Sequence, residues 1–443
     1  MSPWPGANPS WLYDRDVYRF DRVEPSYWEA TAGPADFASR PLDKDDSCDV
    51  AIIGGGYTGL SAAFHLAKDA HSDVRVLEAG HIGWGASGRN GGFCSLGGSK
   101  IGLEAAIRKY GLDAVRHYWR SQVDAVNLVR DFIVDERIDA ELTGDAEVDV
   151  AHSSRSFTEL KSYARMQFEL LGLDTSIISA AEFREKYFDS TEQFGAIRIR
   201  PTFGLHPLRL LHGLAKAATA SGAKLHSGSE VVCWKTAQGS HLLSTRGGTL
   251  RARKVIMATN GFMPEHLHRA FSGRPMPMIS AIVVTRPLGK EEMDAHAWKT
   301  GCPSITARNL LNYFRLLPDN RFMFGGRGHS TGDARGAAAN FRLLQSRIRK
   351  LWPEWAEVDI EYRWQGLVCV TRRLTPSIGQ VDDDSSVYFA YGYHGNGVNT
   401  AIWSGRELAR WIARGGSMPT SIPAMMRGFS PRFPLAALRL WYL

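Results

Sequence analysis

Residues 49–78 read DVAIIGGGYTGLSAAFHLAKDAHSDVRVLE, and this stretch decides the fold. Its apolar run at residues 50–53 enters a G-x-G-x-x-G turn, whose glycines are Gly54, Gly56 and Gly59. An Ala/Leu-rich helical pattern follows, and then a second short apolar run that ends at Glu78. This order predicts a strand, a phosphate-binding turn, a helix and a second strand within about thirty residues.

Each glycine of the turn has a separate physical role. Gly54 allows the tight turn, Gly56 lets the backbone approach a pyrophosphate, and Gly59 lets helix and strand pack closely. The pyrophosphate would then lie on the free N–H groups of a helix N-terminus. Glu78 stands where an acid accepts hydrogen bonds from an adenosine ribose hydroxyl. The unit therefore predicts a dinucleotide site.

Residues 50–67 also allow a second interpretation, because none of them is charged at neutral pH. A run of about 18 such residues is long enough to cross a bilayer. The central glycines and Tyr57, together with the charges of Asp49 and Lys68 at the two ends, favour a buried strand and helix instead.

The bulk composition is that of a globular protein. The 443 residues, 44% apolar and 22% charged, predict two or three domains. The 53 basic and 46 acidic residues give a net charge of +7, and the basic runs, such as residues 251–254, are short and scattered. This pattern argues against a nucleic-acid-binding stripe. The charge suits an anionic cofactor and leaves an acidic substrate open.

The five cysteines, Cys48, Cys94, Cys233, Cys302 and Cys369, are odd in number and far apart. Their spacing indicates neither a zinc site nor a disulfide framework, so we predict no metal and a reducing compartment. The first thirty residues contain no apolar core of signal-peptide length. The sequence therefore predicts a cytoplasmic protein.

The order of segments along the chain predicts a discontinuous cofactor domain. We place it at residues 46–105, 201–262 and 366–415, with a substrate domain at residues 106–200 and 263–365, an arm at residues 1–45 and a tail at residues 416–443. Residues 103–168 show a helical pattern throughout, and residues 231–235 and 241–245 alternate like a hairpin. From Phe429 the tail is apolar and basic, which fits docking on the core, contact with a partner or contact with a membrane surface.

A second glycine-rich segment, GWGASGRNGG at residues 83–92, directly follows the second predicted strand. Its glycines allow close backbone approach, and the amides of Ser87, Gly88 and Arg89 have the pattern of an anion-binding nest. An ordinary mobile glycine loop is the alternative.

With this loop the chain resembles the D-amino-acid-oxidase/glycine-oxidase (DAO) family of FAD enzymes, and most of all its gamma-glutamylputrescine oxidase branch. The resemblance extends over residues 26–414. The motifs that carry it are SYWEATA at Ser26, GGGYTGL at Gly54, EA at Glu78, GASGRNGG at Gly85, GLHP at Gly204, ATNG at Ala258, YFRL at Tyr313, FGG at Phe324, RW at Arg363 and GYHGNGV at Gly392. It implies an α/β fold with a Rossmann-like FAD-binding domain and a mixed-sheet substrate domain.

The resemblance also implies how FAD binds. The cofactor would be extended, with its ADP half at the Gly54 turn, its adenine beside a strand at Val231 and Val232, and its pyrimidine edge under the turn at residues 395–398. A helix N-terminus there would favour the negative charge of reduced flavin. The implied contacts are Gly54, Gly56, Tyr57, Thr58, Gly59, Glu78, Ala79, Gly85, Ala86, Ser87, Arg89, Asn90, Gly91, Gly92, Val231, Val232, Ala258, Thr259, Gly261, Gly395, Asn396, Gly397 and Val398.

In this family the substrate is an amine or amino acid, which loses hydride to flavin N5, and the imine product is hydrolysed. Electrons then pass to O2 or to another acceptor. A dehydrogenase that reduces a quinone or a protein, and a non-catalytic flavin-binding redox sensor, are the alternatives. Because the cofactor performs the chemistry, the protein mainly orients the amine and keeps it deprotonated.

The candidate catalytic residues are His394, Tyr313 and Arg315. His394 lies in the glycine turn itself, but relatives often read GYSGHG where this chain has GYHGNG, so either proton transfer or a structural hydrogen bond fits. Tyr313, Arg315 and Arg327 lie on strands that line the substrate cavity in the family, and an arginine fork suits a carboxylate. An ion-paired arginine is the alternative. His206 is expected to cap the helix that follows it.

Two positions depart from the family pattern. Met323 stands near the place where some amine oxidases carry a lysine that assists the reaction with oxygen, which leaves oxygen use open. Gly88 stands where others tether the flavin through histidine, and Cys369 fits a buried inert thiol better than a tether. We therefore predict non-covalent FAD.

Overall fold

The computed structural model describes residues 12–434. Its helices are α1 Tyr27–Thr31, α2 Tyr57–Ala70, α3 Leu103–Tyr110, α4 Leu112–Asp135, α5 Ser154–Leu171, α6 Ala180–Lys186, α7 Pro207–Ala220, α8 Lys290–Asp294, α9 Ala334–Leu351 and α10 Gly397–Arg414. Its strands are β1 Asp46–Ile53, β2 Val74–Leu77, β3 Phe93–Cys94, β4 Glu147–Val150, β5 Asp174–Ile178, β6 Ala196–Arg200, β7 Phe203–Gly204, β8 Lys224–His226, β9 Cys233–Ala237, β10 Ser240–Ser244, β11 Thr249–Met257, β12 Pro275–Pro287, β13 Ser304–Thr306, β14 Asn312–Leu316, β15 Arg321–Arg327, β16 Ile360–Thr371, β17 Ser377–Val381 and β18 Asp384–Tyr391.

The first sheet contains the predicted dinucleotide unit. Its strand order is β17-β18-β11-β1-β2-β8, and the hairpin β9–β10 extends from β11. Strand β1 pairs in parallel with both β2 and β11, so its carboxyl end and the glycine turn lie between the ends of two neighbours. Parallel strands buried on both faces read as continuous apolar runs, which explains residues 50–53.

The second sheet has the order β16-β12-β15-β14-β13-β4-β6-β5. All its pairs are antiparallel except β13 with β4, which brings a strand from the first half of the chain beside strands from the second half. The helical pattern predicted over residues 103–168 is therefore wrong at β4. The sequence Glu-Val-Asp-Val alternates with the period of a strand, and this pairing selects that period.

One predicted domain boundary, between residues 365 and 366, falls inside β16. This strand pairs with β12 from Ile360 to Thr371, so its residues belong together in the second sheet. The predicted hairpin is present, but β9 begins at Cys233, after Val231 and Val232. We propose that the chain is divided into domains as predicted, except that this boundary lies at the end of β16.

The segments outside the two sheets pack onto the core in the described part of the chain. Trp28 of α1 is buried, and its indole N–H donates to the carbonyl oxygen of Asn90 at 2.8 Å. The Phe429 ring stacks on Phe389 with 3.9 Å between centroids, so the start of the apolar tail docks on the first sheet. The rest of the predicted tail, residues 435–443, lies outside the described residues. Within residues 12–434, each helix is too short or too polar to cross a membrane.

Candidate active site

A cavity of about 720 Å³ lies between the two sheets and the N-termini of α2 and α10. Most of the residues that we predicted as cofactor contacts line it: Gly54, Gly56, Tyr57, Thr58, Glu78, Ala79, Gly85, Ala86, Ser87, Arg89, Asn90, Gly91, Val231, Ala258, Thr259, Gly395, Asn396, Gly397 and Val398. Gly59, Gly92, Val232 and Gly261 are not among the lining residues. Tyr313, Arg327 and His394 line the cavity, whereas Arg315 does not.

The turn at the start of α2 requires its glycines. Gly54 has φ of +112°, and a Cβ atom there would lie 2.8 Å from the carbonyl oxygen of Ala258. A Cβ atom at Gly59 would overlap the carbonyl oxygen of Gly54, because helix and strand meet there without space for a side chain. Gly59 therefore supports the turn by packing against Gly54 on the side away from the cavity, which explains why it does not line the cavity.

Glu78 fixes the same turn. Its Oε2 atom accepts the N–H of Gly55 at 2.6 Å, and Oε1 accepts the N–H of Gly80 at 3.0 Å. Burial raises the pKa of the carboxyl above its usual range, and these backbone donors oppose that rise. Each oxygen can accept a second hydrogen bond, so the carboxylate can both hold the turn and accept a ribose hydroxyl from the cavity.

The glycine-rich loop at residues 83–92 is held by many hydrogen bonds. The Asn90 amide donates to the carbonyls of Ala86 and Ser87 at 3.1 and 2.9 Å and accepts the Gly92 N–H at 2.8 Å. These contacts favour a fixed nest over the alternative of a mobile loop. Gly92 acts within this framework and faces away from the cavity.

Two further contacts join this loop to other elements. The indole N–H of Trp364, on β16, donates to the carbonyl of Arg89 at 2.8 Å. The Ser87 hydroxyl accepts the N–H of Tyr57 at 3.0 Å, so the loop satisfies a free donor at the N-terminus of α2. The Arg89 guanidinium stacks 4.0 Å from the Trp84 ring centroid and lies 3.6 Å from Glu24.

The turn before α10 places polar groups on the other side of the cavity. His394 and Gly395 both have positive φ, +53° and +93°, which directs the backbone into the helix that starts at Gly397. The Nδ2 atom of Asn396 is shielded from solvent, and within residues 12–434 no group accepts from it. An orphan donor beside a helix N-terminus fits the pyrimidine edge of a flavin.

His394 has a structural role in this turn. Its Nε2 atom accepts the backbone N–H of Thr371 at 3.1 Å, which requires the proton to be on Nδ1, and Nδ1 donates to the Gly98 carbonyl at 3.1 Å. Burial lowers the pKa of the imidazole to about 3, and the nearby Lys100 charge lowers it further. Both ring nitrogens are used and the ring is neutral, so the geometry favours the structural hydrogen bond over proton transfer.

The expectation that Arg315 faces the substrate is wrong. Arg315 is 1% exposed, and its guanidinium donates to the carbonyls of Gly91 and Leu205 at 3.2 and 2.6 Å and to the Thr143 hydroxyl at 2.9 Å. Burial lowers its pKa to about 10. All three nitrogens are occupied beneath the glycine-rich loop, so Arg315 supports that loop from outside the cavity.

Tyr313 lies at the cavity wall formed by the second sheet. Its hydroxyl is 2.9 Å from the Ser280 hydroxyl, and burial raises the pKa of the phenol to about 12. Gly325, its neighbour on β15, leaves the space that the ring fills. We call the part of the cavity between Tyr313 and residues 395–398 the flavin end.

The comparisons with known proteins agree with this geometry. The sequence pattern of the family described as FAD dependent oxidoreductase (DAO) matches residues 49–411. The chain belongs to the DAO family. It is 31% identical to gamma-glutamylputrescine oxidoreductase of Escherichia coli (strain K12) over 395 residues, which cover 87% of this chain and 88% of that protein. It is also 31% identical to a probable oxidoreductase, OrdL, of Rhizobium meliloti (strain 1021) over 432 residues, which cover 94% and 96% of the two chains.

Solved structures show the same fold. Glycine oxidase from Geobacillus kaustophilus superposes with a TM-score of 0.68 at 22% identity and covers 84% of this chain and 96% of its own. L-proline dehydrogenase from P. horikoshii gives 0.68 at 21% identity, with 85% and 96% covered. The predicted FAD-binding α/β fold, the FAD cofactor and an enzymatic oxidoreductase activity are thus confirmed for this DAO-family chain.

The structure also locates the other residues that the sequence analysis discussed. The Nδ1 atom of His206 accepts the Arg209 N–H at 3.2 Å and caps α7, as expected. Met323 is buried in the core and does not line the cavity, whereas Cys369 lines it and is 1% exposed. Val231 lines the cavity from the segment before β9, because the strand starts later than predicted.

Sequence reasoning missed a second group of polar residues on the cavity wall. They are Ser95, Lys100, Glu147, Asp149, Tyr163 and Gln167. The only available signal was the alternation of residues 147–150, because residues i and i+2 of a strand face the same side. The helical pattern predicted there concealed it.

Proposed function

We propose that this DAO-family enzyme oxidises the C–N bond of an amine or amino acid. The observation that carries the proposal is the flavin end, where the N-terminus of α10 and the Tyr313–Ser280 pair face one cavity. The similarity to gamma-glutamylputrescine oxidoreductase supports an amine as substrate.

FAD, when bound, supplies a two-electron acceptor at flavin N5. The residues of the flavin end orient the substrate and exclude water. Tyr313 and Ser280 offer hydroxyl groups that can donate or accept, and the pKa of about 12 keeps Tyr313 neutral at physiological pH. The neutral His394 adds no charge. A site of this kind favours the neutral, electron-donating form of an amine over its ammonium form.

The oxidation balances without a protein acid or base. The substrate C–H bond breaks with transfer of hydride, the amine nitrogen supplies the new C=N bond, and one N–H proton leaves to solvent. Water then hydrolyses the imine to a carbonyl compound and an amine.

We further propose non-covalent FAD, with O2 or another acceptor removing the electrons. None of the five cysteines, all within residues 12–434, forms a disulfide, which supports a reducing, cytoplasmic location.

A spectroscopic experiment tests this proposal. Purified protein should be yellow, and a panel of amines added without oxygen should bleach the flavin, while alcohols of the same carbon skeletons should not. Readmission of oxygen should produce peroxide if O2 is the acceptor. Bleaching by alcohols alone, or by no amine at all, would contradict amine oxidation.

A further inference from the structure

Asp149, one of the polar cavity residues that the sequence did not predict, has a defined position relative to Tyr313 at the flavin end. Asp149 pairs with Ile305, and Ile305 pairs with Tyr313, so Asp149 and Tyr313 lie in one row across the second sheet with one strand between them. Both line the same cavity. Neighbouring strands are about 4.8 Å apart, which separates the two backbones by about 10 Å.

Glu147 and Asp149 face the cavity together, while Val148 and Val150 between and after them are buried in the core of the second sheet. Glu147 is 7% exposed, and its Oε2 atom accepts the hydroxyl of Ser95. The Oδ1 atom of Asp149 is shielded from bulk solvent, and no group within residues 12–434 donates to it.

Lys100 does not neutralise these acids by direct contact. Its side chain lines the cavity and lies close enough to influence both carboxylates, yet no ion pair of 4.0 Å or less joins it to either acid in the described chain. A shielded carboxylate oxygen without a donor, such as Oδ1 of Asp149, is costly, and structural ion pairs normally supply that donor.

The titration behaviour fits this geometry. Burial raises the pKa of Glu147 to about 7 and raises the pKa of Asp149 well above its usual range. Desolvation on the cavity side lowers the pKa of Lys100, an exposed residue, and the two carboxylates oppose that change. The carboxylates are therefore short of positive charge, which a ligand cation would supply.

We propose that Glu147 and Asp149 bind a second ammonium group of the substrate, at the end remote from the C–N bond that is oxidised. An ammonium offers three donors, which suit the unpartnered Oδ1 of Asp149 and the Glu147 carboxylate. This inference rests on the proposed amine oxidation and names the substrate class: extended amines with an ammonium several atoms from the reacting carbon. A diamine and an amine linked to an amino-acid head group share this chemistry.

The test compares matched amines on the FAD-loaded enzyme. Anaerobic stopped-flow reduction is measured with butylamine, with 1,4-diaminobutane and with the N-γ-glutamyl derivative of 1,4-diaminobutane. We expect the apparent Kd of 1,4-diaminobutane or of its γ-glutamyl derivative to be at least tenfold lower than that of butylamine. The ratio of the Kd of butylamine to the Kd of the ammonium-bearing compound should fall towards one in Glu147→Gln and Asp149→Asn. Glu159→Gln, which removes an exposed acid of α5 paired with Arg155, should leave the ratio unchanged.

Further variants keep the test decisive. If the neutral variants fail to load FAD, Glu147→Asp and Asp149→Glu, which keep the charge but move it, should reduce the same ratio by a smaller factor. Lys100→Met separates the two sources of the ammonium. If an amino-acid carboxylate lies beside Lys100, this variant should raise the apparent Kd of the γ-glutamyl compound and leave that of 1,4-diaminobutane unchanged. Otherwise the two apparent Kd values should change by the same factor.

Calorimetric titration of the FAD-loaded enzyme with 1,4-diaminobutane and with the γ-glutamyl compound separates this inference from the proposed function. Binding that depends on Glu147 and Asp149, without flavin reduction by any amine, would support the ammonium site and overturn amine oxidation. Flavin reduction in which butylamine binds as tightly as both ammonium-bearing compounds, or in which both neutral variants keep the ratio, would overturn the site. Absence of both binding and reduction would overturn both.

Discussion

At the scale of single residues, the neutral state of His394 makes the stability of the fold depend on pH. The folded pKa of about 3 lies below the ordinary value of 6.5 for histidine, so the unfolded chain binds a proton that the folded chain excludes. The stabilising effect of neutral His394 is complete above pH 6.5 and is lost as the pH falls towards 3.

We therefore predict that His394→Asn lowers the melting temperature at pH 7.5 but makes it less sensitive to acid. The variant loses hydrogen bonds to Thr371 and Gly98, which costs about 1–3 kcal/mol. It also removes a contribution of about 1.4 kcal/mol per pH unit between pH 6.5 and 3. Thermal unfolding of the FAD-loaded proteins from pH 7.5 to 5 measures this. A difference between the two proteins that grows as pH falls would contradict it.

Arg315 gives a second prediction at this scale. In Arg315→Lys the planar fork is lost, so the contacts to Gly91, Leu205 and Thr143 cannot all survive. We expect a stability loss of roughly 2–4 kcal/mol. The rate of flavin reduction at saturating amine should stay within about threefold once FAD is bound.

Denaturant unfolding and anaerobic reduction of the same preparation measure these two effects. Arg335→Lys, at the exposed start of α9, is the matched control. Normal stability combined with a reduction rate below one tenth of wild type would instead place Arg315 in contact with the substrate.

At the scale of elements, the glycine turn depends on the contact between α2 and the end of β1. Gly59→Ala would force a Cβ atom into the carbonyl of Gly54, and the helix N-terminus would have to move. We predict that this variant folds with little or no FAD. Flavin absorbance per polypeptide measures the loss, and Gly102→Ala is the control, because a Cβ atom there meets nothing within 4 Å and φ is −59°. Full FAD occupancy in Gly59→Ala would contradict the role of the turn.

The elements also show how far the sequence could predict the structure. The Gly54 turn and Glu78 could be predicted because the strand, helix and acid that explain them are neighbours in the chain. Arg315 could not be placed, because the carbonyl of Leu205 and the hydroxyl of Thr143 are brought to it only by the tertiary fold. Asp149 was missed for the same reason, since the parallel pairing of β13 with β4 decides which residues share its row.

At the scale of the whole molecule, the cavity joins segments from most of the chain. The first sheet supplies the turn at Gly54, the second sheet supplies Tyr313 and Asp149, and α10 closes the space between them. One cavity is thus lined by residues of both sheets. The local motifs identify the cofactor, and the pairing of distant strands shapes the substrate end.

The central claim, amine oxidation at the flavin end, is tested most directly by a single anaerobic turnover with product analysis. The FAD-loaded enzyme is mixed with excess 1,4-diaminobutane or its N-γ-glutamyl derivative, and reduced flavin, carbonyl product and released ammonia are counted. We predict one ammonia for each flavin reduced, with one aldehyde from the γ-glutamyl compound and, from 1,4-diaminobutane, one aldehyde or the cyclic imine that it forms with its remaining amine. Flavin that stays oxidised with every amine, or flavin that is reduced without release of nitrogen, would contradict the claim.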